Sequence, residues 1–529
     1  MTLQVSDAPP AVGPPADQLE RALQPLVDGA SARGRQTLVS VTLAVPWHDP
    51  IALFDAARAV GAAGTAGAAG AEPALWFQPG AGFALVAIGA AWVLRPSGPA
   101  RFRQATSAWR GLLDGASVAD ATAGARGTGP LLIGGFGFCP EPSKAPAWRG
   151  FERGRLVLPS LLVTIDGGAA WLTANVVVSS DGAEADGPTA TRELTELWAA
   201  VERGAGVGIA AGIAAGSNLG AETGEPAEAA PTNAPPAEAA PVLAPDRPPA
   251  AATLRIAGLQ PAPAEWRASV GRLAGAVGRG RADKVVLARR VDLVAAAPVD
   301  LSVALRRLEV TARESTIFAL TRHGRTFLGA TPERLVRVEG RTLRTIALAG
   351  SIGRGSDPAG DERLAAELLA SAKDREEHEV VVEMLRRTLA PLAEELEVAA
   401  DPVVVTLRHV QHLATEVRGR LRQQAGVLTL VERLHPTPAV GGAPRELALE
   451  LIAAEERLDR GWYAGPLGWL DRHDDGEFVV AIRSGVVEDD RVSLFAGCGI
   501  VADSDPDREW AESEMKLEAL ASALGRLER

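Results

Sequence analysis

The sequence predicts an α+β protein, because patterns typical of strands and patterns typical of long helices both occur along its 529 residues. Three observations carry the prediction. Short apolar runs alternate with turn residues before residue 217, sharper strand patterns begin at Lys284 and Thr326, and two long amphipathic stretches span Asp374–Glu395 and Pro506–Leu527. With 47% hydrophobic and 23% charged residues, the chain is long enough for one large two-part domain or for two domains.

The part before residue 217 has the pattern of strands that pair in a sheet. Its apolar runs are LVSVTLAVPW, ALWFQP, GFALVAIGAAWVL, LLIGGFGF and RLVLPSLLVTIDGGAAWLTANVVV. A helix is expected near Arg192 to Glu202, with Thr191 as its cap. This part therefore predicts a β-rich layer flanked by helices, without a cluster of residues typical of catalysis.

The part after residue 252 shows clearer elements. KVVLARRVDLV and TFLGATPERLVRV are expected to form strands, with a turn at Thr331-Pro332, and the two amphipathic stretches are expected to form long helices. We expect the chemistry of the protein in this part.

The clearest boundary in the sequence is the segment 217–252, which is rich in Ala, Pro, Glu and Gly and has no aromatic residue. Such a composition buries too little apolar area to offset the entropy of ordering, so a disordered linker or surface excursion is expected. It divides the chain into an N-terminal β-rich half, 1–216, and a region expected to be catalytic, 253–529.

Composition excludes several partners and sites. The net charge of −12 argues against nucleic acid, whose phosphates require clustered Lys and Arg. The N-terminus has no signal peptide pattern, and the apolar stretch Gly82–Leu94 is too short to cross a bilayer, so we expect a cytoplasmic protein without a membrane partner. A monomer is the default expectation. Two cysteines, Cys139 and Cys498, are too few for a disulfide framework or a thiolate zinc site.

Lysine is rare in this chain, with four positions among 54 basic residues: Lys144, Lys284, Lys373 and Lys516. An ammonium can lose its proton when buried, whereas a guanidinium effectively cannot. Lys284 alternates with Val286 and Ala288 at the start of a predicted strand. If that face is inward, burial would favour the neutral amine and make Lys284 a base; otherwise it is an edge lysine that prevents aggregation.

Carboxylates on the two predicted helices suggest a metal site, although each has an ordinary explanation. Glu377 precedes the apolar stripe of its helix by one turn, with Asp374 one turn earlier, but a solvated first-turn acid is the better explanation from this helix alone. Glu509, Glu512 and Lys516 share one stripe of the last helix, which is either an ion-paired surface or one wall of a Mg²⁺ site.

Nine segments of the C-terminal part stand in the order found in chorismate-binding enzymes. They are DKVVLARR, FLGATPERL, TIALAGS, SAKDREEHEVVV, VQHLATEVRGRL, LHPTPAVGGAPRE, GWYAGPLGWLD, EFVVAIRSG and AGCGIVADSDPDREWAESEMK. On these segments the chain resembles that family from about Ala282 to Leu517, and the N-terminal half resembles it more loosely. The resemblance implies an α/β sandwich in which two packed, antiparallel-rich sheets are flanked by helices.

The resemblance also implies roles for single residues. Lys284 matches the base that activates water against C2 of chorismate, and Glu333 matches the acid that protonates the departing C4 hydroxyl. Glu377 and Glu512 match the Mg²⁺ ligands, with Asp374 and Glu509 near the metal through water. Further positions match residues that contact the substrate: Gly350, Ser351, His412, Ala439, Tyr463, Arg483, Gly497 and Lys516.

Three positions distinguish members of the family, as the resemblance implies. Lys284 is the lysine of enzymes that use water, Ala349 replaces the nucleophilic lysine of aminodeoxychorismate synthases, and Ala439 replaces the usual threonine of amine-using and salicylate-forming members. The expected reaction is the formation of isochorismate, which needs no ammonia and no glutaminase subunit. Salicylate synthesis and a catalytically silent chorismate-binding regulator are the alternatives. The long N-terminal half favours a menaquinone pathway over a siderophore pathway.

Overall fold

The computed structural model describes residues 15–63, 72–120, 122, 124–141, 145–178, 187–206 and 253–528. The segment 217–252, predicted to be a linker, and Lys144 lie outside the described residues. Within the described ranges the chain forms eleven α-helices and 24 β-strands. The helices are α1 Pro15–Ser31, α2 Pro50–Ala62, α3 Arg101–Leu113, α4 Gly187–Ala205, α5 Pro263–Gly278, α6 Leu301–Thr311, α7 Pro358–Ala370, α8 Ala372–Leu389, α9 Val427–Leu434, α10 Arg445–Glu455 and α11 Pro506–Leu524.

The strands are β1 Thr37–Ala44, β2 Ala74–Gln78, β3 Phe83–Ile88, β4 Trp92–Leu94, β5 Ser117–Asp120, β6 Leu131–Phe136, β7 Gly154–Leu158, β8 Leu161–Asp166, β9 Ala169–Val178, β10 Thr253–Gln260, β11 Lys284–Ala295, β12 Thr316–Arg322, β13 Arg325–Thr331, β14 Arg334–Glu339, β15 Thr342–Gly353, β16 Ala393–Val398, β17 Val403–Thr406, β18 Val410–Leu421, β19 Gly442–Ala443, β20 Pro466–Asp471, β21 Gly476–Val480, β22 Ser484–Glu488, β23 Arg491–Ile500 and β24 Arg526–Glu528.

These strands form two sheets. The large sheet has 14 strands in the order β24-β10-β11-β23-β22-β13-β12-β2-β3-β8-β9-β1-β5, with β19 beside β11. The small sheet has 10 strands in the order β16-β18-β15-β14-β21-β20-β6-β7-β4, with β17 beside β18. Strands from both sides of segment 217–252 meet in each sheet, where β12 pairs with β2 and β20 pairs with β6. The predicted α+β class and its two antiparallel-rich sheets are confirmed; the described exceptions are the parallel pairs β1–β5 and β10–β24.

The large sheet is buried on both faces. Successive residues of β2 point to opposite faces, so Trp76 belongs to the core shared with the small sheet, while Leu75 and Phe77 belong to the core beneath the helices. The first core joins both sheets with α3, α8 and α9, and the second joins the large sheet with α1, α2, α4, α6 and α11. This double burial explains why the strand sequences are continuous apolar runs.

Three predicted helix boundaries are wrong. α4 begins at Gly187, so Thr191 lies inside the helix and does not cap it. α8 ends at Leu389, because Pro391 cannot continue the helical hydrogen bonds, and Glu395 belongs to β16. α11 ends at Leu524 before Gly525, and Leu527 belongs to β24, which pairs with β10.

Two helices bring polar residues to the centre of the fold. α8 packs on β15 of the small sheet and α11 packs on β23 of the large sheet. Within the described part of the chain, no helix has the length and apolar character needed to cross a membrane.

Candidate active site

A cavity of about 60 Å³ lies between the two sheets and the helices α8 and α11. It brings together residues that are far apart in sequence. The predicted site residues that line it are Lys284, Glu333, Gly350, Ser351, Glu377, His412, Ala439, Tyr463, Arg483, Gly497, Glu512 and Lys516. Asp374 and Glu509, which were expected behind the metal ligands, do not line it.

Lys284 is the first residue of β11 and points into the cavity with 3% of its side chain exposed. Its Nζ donates a hydrogen bond to Glu377 Oε1 at 2.6 Å. Gly499 on the neighbouring strand makes this approach possible, because a Cβ there would lie 2.4 Å from Lys284 Cε and 3.1 Å from Glu377 Oε1. The structure therefore decides between the two alternatives that strand alternation left open: Lys284 points inward, and the edge-lysine alternative is wrong.

Glu333 lies where the chain crosses from one sheet to the other, between β13 of the large sheet and β14 of the small sheet. It is 5% exposed. Its backbone is held on both sides, since its N–H donates to Thr331 Oγ1 and its carbonyl accepts from the N–H of Val480. Thr437 Oγ1 donates to Glu333 Oε1 at 3.3 Å.

The environment of Glu333 favours the protonated acid. Burial raises its pKa to about 7, and the hydrogen bond from Thr437 and the positive charges of Arg483, Lys284 and Lys516 only partly oppose this effect. A carboxyl group with a pKa near neutrality exists in both protonation states at physiological pH. Glu333 therefore has the proton-transfer properties of a general acid.

Carboxylates enter the cavity from two helices. Glu377 lies in the first turns of α8, and although burial alone would raise its pKa, the Lys284 ammonium outweighs burial and lowers it. Glu512 lies on α11 and forms an ion pair with Lys516 at 2.5 Å. Lys516 Nζ also donates to the carbonyl of Gly497 at 3.1 Å. Burial would lower the pKa of Lys516, but the Glu512 carboxylate overcomes this effect and raises it.

The two acidic residues expected behind the ligands differ in position. Glu509 is buried one turn before Glu512, and burial together with the Glu512 charge raises its pKa to about 7. Oxygens of these two carboxylates and the sulfur of Cys498 lie within 4.8 Å of one another. Asp374 instead takes part in the N-cap of α8, where its carboxylate accepts from Ser371 Oγ at 2.5 Å.

A β-bulge shapes the opposite side of the cavity. The register of β15 shifts between Ala349 and Ser351, and Gly350 between them has a φ of +75°, which favours glycine. The shift places Ser351 opposite His412 on β18. His412 Nδ1 lies 2.8 Å from Ser351 Oγ.

His412 is a neutral imidazole in this arrangement. Burial and the adjacent Arg483 charge lower its pKa well below the usual value. Its Nε2 lies 3.1 Å from a guanidinium nitrogen of Arg483. Because a guanidinium has only donors, Nε2 accepts, and we assign the proton to Nδ1, which donates to Ser351 Oγ. Arg483 itself has a φ of +51°, in the left-handed region that most non-glycine residues avoid.

Tyr463 and Ala439 complete the cavity. Tyr463 stacks on Phe495 with ring centroids 5.5 Å apart, and burial raises its pKa to about 12, so its hydroxyl remains a hydrogen-bond donor at neutral pH. A Cβ at Gly497 would lie 3.3 Å from that hydroxyl. Ala439 lies in the turn between α9 and β19.

Sequence reasoning missed Thr437, Arg460 and Gly499. Gly499 was detectable, because it alternates with Gly497 on one face of a strand in AGCGIV, where two small residues indicate a close approach. Thr437 and Arg460 left no comparable signal, since the contacts that place them at the site, with Glu333 and with the carbonyl of Val286, are distant in sequence.

The sequence profile of one family, described as "Chorismate binding enzyme", matches residues 21–203 and 239–525. The chain belongs to the chorismate-binding enzyme family. Isochorismate synthase MenF of Bacillus subtilis (strain 168) is 35% identical over 397 residues, which are 75% of this chain and 75% of that protein. The salicylate biosynthesis isochorismate synthase of Pseudomonas aeruginosa is 35% identical over 497 residues, 94% of this chain and 92% of that protein.

Solved structures of chorismate-binding enzymes have the same fold. MenF, the menaquinone-specific isochorismate synthase from Escherichia coli, superposes with a TM-score of 0.69 and 24% identity over 95% of this chain and 100% of that chain. Anthranilate synthase component I from Streptococcus pneumoniae superposes with a TM-score of 0.60 and 19% identity over 83% of this chain and 92% of that chain. The chain therefore shares its fold both with a structure named as an isochorismate synthase and with one named as an anthranilate synthase component.

Proposed function

We propose that this protein is an isochorismate synthase, which converts chorismate to isochorismate by attack of water at C2 and loss of the C4 hydroxyl. One observation carries the proposal: a basic group, Lys284, and an acidic group with a pKa near 7, Glu333, line the same buried cavity. The reaction needs one group that accepts a proton from water and one that donates a proton to the leaving hydroxyl. The curated relatives named isochorismate synthases agree with this activity.

The two groups divide the proton transfers. Lys284, held by its hydrogen bond to Glu377, first releases its own proton to solvent and then, as the neutral amine, accepts the proton of the attacking water. Glu333 donates its proton to the C4 hydroxyl, which then leaves as water. Its buried position keeps the acid protonated in a large fraction of molecules at neutral pH.

The remaining lining residues suit a dianionic substrate. Arg483 and Lys516 supply two positive charges for carboxylates, and the hydroxyl of Tyr463 supplies a donor. His412 fixes Arg483, since its Nε2 accepts from the guanidinium. We expect these residues to bind and orient chorismate.

We propose Mg²⁺ as the cofactor, held by Glu377 and Glu512, with Glu509 behind them. The residues fit this ion: Glu509 and Glu512 place carboxylate oxygens close together, and the charge of Glu512 contributes to the raised pKa of Glu509. A divalent cation would remove that repulsion, and Mg²⁺ prefers oxygen ligands. When bound, it would neutralise negative charge on a substrate carboxylate.

The choice of water over ammonia rests on the walls of the cavity. Ala349 and Ala439 both line it, so neither a lysine nucleophile nor a threonine hydroxyl is present at these positions. We propose that the product enters menaquinone synthesis, which the long N-terminal half favours. We also propose a cytoplasmic monomer without a glutaminase subunit, because the reaction consumes no ammonia.

Product analysis tests the proposal. Purified protein with Mg²⁺ should convert chorismate to isochorismate reversibly, as followed by liquid chromatography in both directions. Accumulation of fluorescent salicylate together with pyruvate would instead identify a salicylate synthase. A regulator without catalysis would leave chorismate unchanged, and a Lys284→Ala variant would then keep its full biological activity.

A further inference from the structure

Strand β11, which carries Lys284, has an incomplete neighbour on one edge. On its other edge it pairs with β23 from Val285 to Val294. On this edge β19 pairs only with Lys284 and Val285, and β10 begins to pair at Arg290. Among the described strands, none pairs with this edge between those two contacts. Backbone groups left unpaired there would destabilise the fold, because the strand is buried.

The side chains of Arg460 and Glu456 take the place of the missing strand. A guanidinium nitrogen of Arg460 donates to the carbonyl of Val286 at 2.7 Å, and Glu456 Oε2 accepts from the N–H of Ala288 at 2.8 Å. The two side chains are joined by two hydrogen bonds of 2.7 Å each. Their exposed fractions are 3% and 2%, so the pair is fully inside the protein.

The same guanidinium also holds the turn that carries Ala439. Its other terminal nitrogen donates to the carbonyl of Val440 at 2.7 Å. The guanidinium lies over the ring of Phe138, 4.2 Å from its centroid, which limits its movement. One rigid planar group thus bonds to β11 two residues after Lys284 and to the residue after Ala439.

We propose that Arg460 and Glu456 form a positioning pair that sets the separation between Lys284 and the turn carrying Ala439, and so keeps water as the nucleophile. This inference rests on the proposed function. A buried ion pair is weak evidence for added stability, because the cost of desolvating its charges offsets their attraction. Its fixed hydrogen-bond geometry can instead hold β11 and the Ala439 turn at a defined distance. A lysine cannot reproduce it, since an ammonium lacks the planar fork that reaches all three partners.

The test compares this pair with a second ion pair, in which the arginine is buried and the glutamate is 18% exposed. Arg460→Lys and Glu456→Gln alter the positioning pair, while Arg322→Lys and Glu72→Gln are matched controls, because Arg322 is 2% exposed, pairs with Glu72 at 3.6 Å and does not line the cavity. Each variant is assayed for kcat and KM with chorismate and for its melting temperature. A second assay adds ammonium chloride and measures the ratio of aminated to hydroxylated product.

In the aminated product, ammonia forms the bond to C2 and the C4 hydroxyl leaves as in the normal reaction. We expect Arg460→Lys to lower kcat on the order of 10²-fold with little change in KM, because small displacements of reacting groups have effects of that size. We also expect its aminated fraction to rise several-fold above that of the wild type. The control variants should change melting temperature without changing the product ratio.

Two results would overturn the inference. In the first, all four variants lose kcat in proportion to their loss of melting temperature. In the second, the ratio of aminated to hydroxylated product is the same in the wild type and the four variants. A wild type that forms no isochorismate would refute the proposed function itself, so the two failures are distinguishable.

Discussion

The cavity has two walls of different electrostatic character. The first, which we call the charged wall, is formed by β11, α8 and α11 and presents paired charges, Lys284 with Glu377 and Lys516 with Glu512. The second, the neutral wall, is formed by the β13–β14 connection, β15 and β18. Its Glu333 has a pKa raised to about 7 by burial, and burial holds the pKa of its His412 well below the usual value.

The difference arises from the partners that each wall supplies. On the charged wall every carboxylate that lines the cavity has a lysine within hydrogen-bond distance, so ionised forms are stabilised despite burial. On the neutral wall Glu333 has one long hydrogen bond from a hydroxyl, and desolvation decides its protonation. The charged wall suits binding of anions and a cation, and the neutral wall suits donation of a proton.

The largest expected effect comes from changing the base on the charged wall. Lys284→Arg keeps a positive charge beside Glu377 but cannot lose its proton, so kcat/KM for chorismate should fall about 10³-fold. Initial rates of isochorismate formation measure the loss. A Lys284→Gln variant, which has no charge, is measured beside it, and circular dichroism checks that both variants are folded. Retention of more than about one tenth of the activity by Lys284→Arg would mean that only the charge matters.

A smaller effect is expected at the proposed metal site. Glu512→Ala should raise the Mg²⁺ concentration for half-maximal rate about 10- to 100-fold, because it removes a ligand of the ion. The matched control is Asp507→Ala, on the same helix but 73% exposed and paired only with Arg267 in the described contacts. Magnesium titrations of the rate and calorimetric binding measure both variants. An unchanged Mg²⁺ requirement in Glu512→Ala would refute its role as a ligand.

The neutral wall predicts a pH dependence. Protonated Glu333 is the active form and its pKa is raised to about 7, so the proton is lost as pH rises through that value. Loss of this proton lowers the rate about tenfold per pH unit, whereas formation of the neutral Lys284 base raises it, so above that value the rate should enter an alkaline limb in which it no longer rises. Initial rates from about pH 6 to about pH 9 at saturating Mg²⁺ test this. A rate that continues to rise through about pH 8 would exclude Glu333 as the acid.

The smallest effect is expected from removing the hydrogen bond to Glu333, which shows how much this bond, as distinct from burial, contributes to the pKa of the carboxyl group. The hydrogen bond from Thr437 lowers the pKa of Glu333, so Thr437→Val should move the alkaline limb to higher pH. The shift should be at most about one unit, since a neutral hydrogen bond contributes about 1 kcal/mol. Thr437→Ser keeps the hydroxyl and should leave the limb in place. A shift to lower pH in the valine variant would contradict the assignment.

Local patterns predicted the fold class correctly and placed Lys284 on one face of a strand with Val286 and Ala288. Alternation depends on neighbouring residues only, so it could not tell whether that face is buried; the structure shows that it is, with Lys284 3% exposed. Local patterns failed for Glu377, for which a solvated first turn was the better explanation from the helix alone. Its partner Lys284 lies 93 residues away and reaches it only in the folded chain.

The family resemblance added roles that periodicity could not supply. It selected the residues that line one cavity, apart from Asp374 and Glu509, and these roles remain predictions until variants are assayed. The carboxylate of Asp374 accepts a hydrogen bond from the N-cap Ser371, and its expected place near the metal stays a prediction.

The sequence by itself determined an α+β protein of the chorismate-binding family and predicted which residues act as base, acid and metal ligands. These conclusions depend on residue types, short-range periodicity and ordered motifs, which are all local in the chain. The tertiary structure alone decided which charges are paired, which acid is desolvated and how β11 is held beside the Ala439 turn. Burial and hydrogen bonding between distant segments set protonation and position, and no local pattern encodes those contacts.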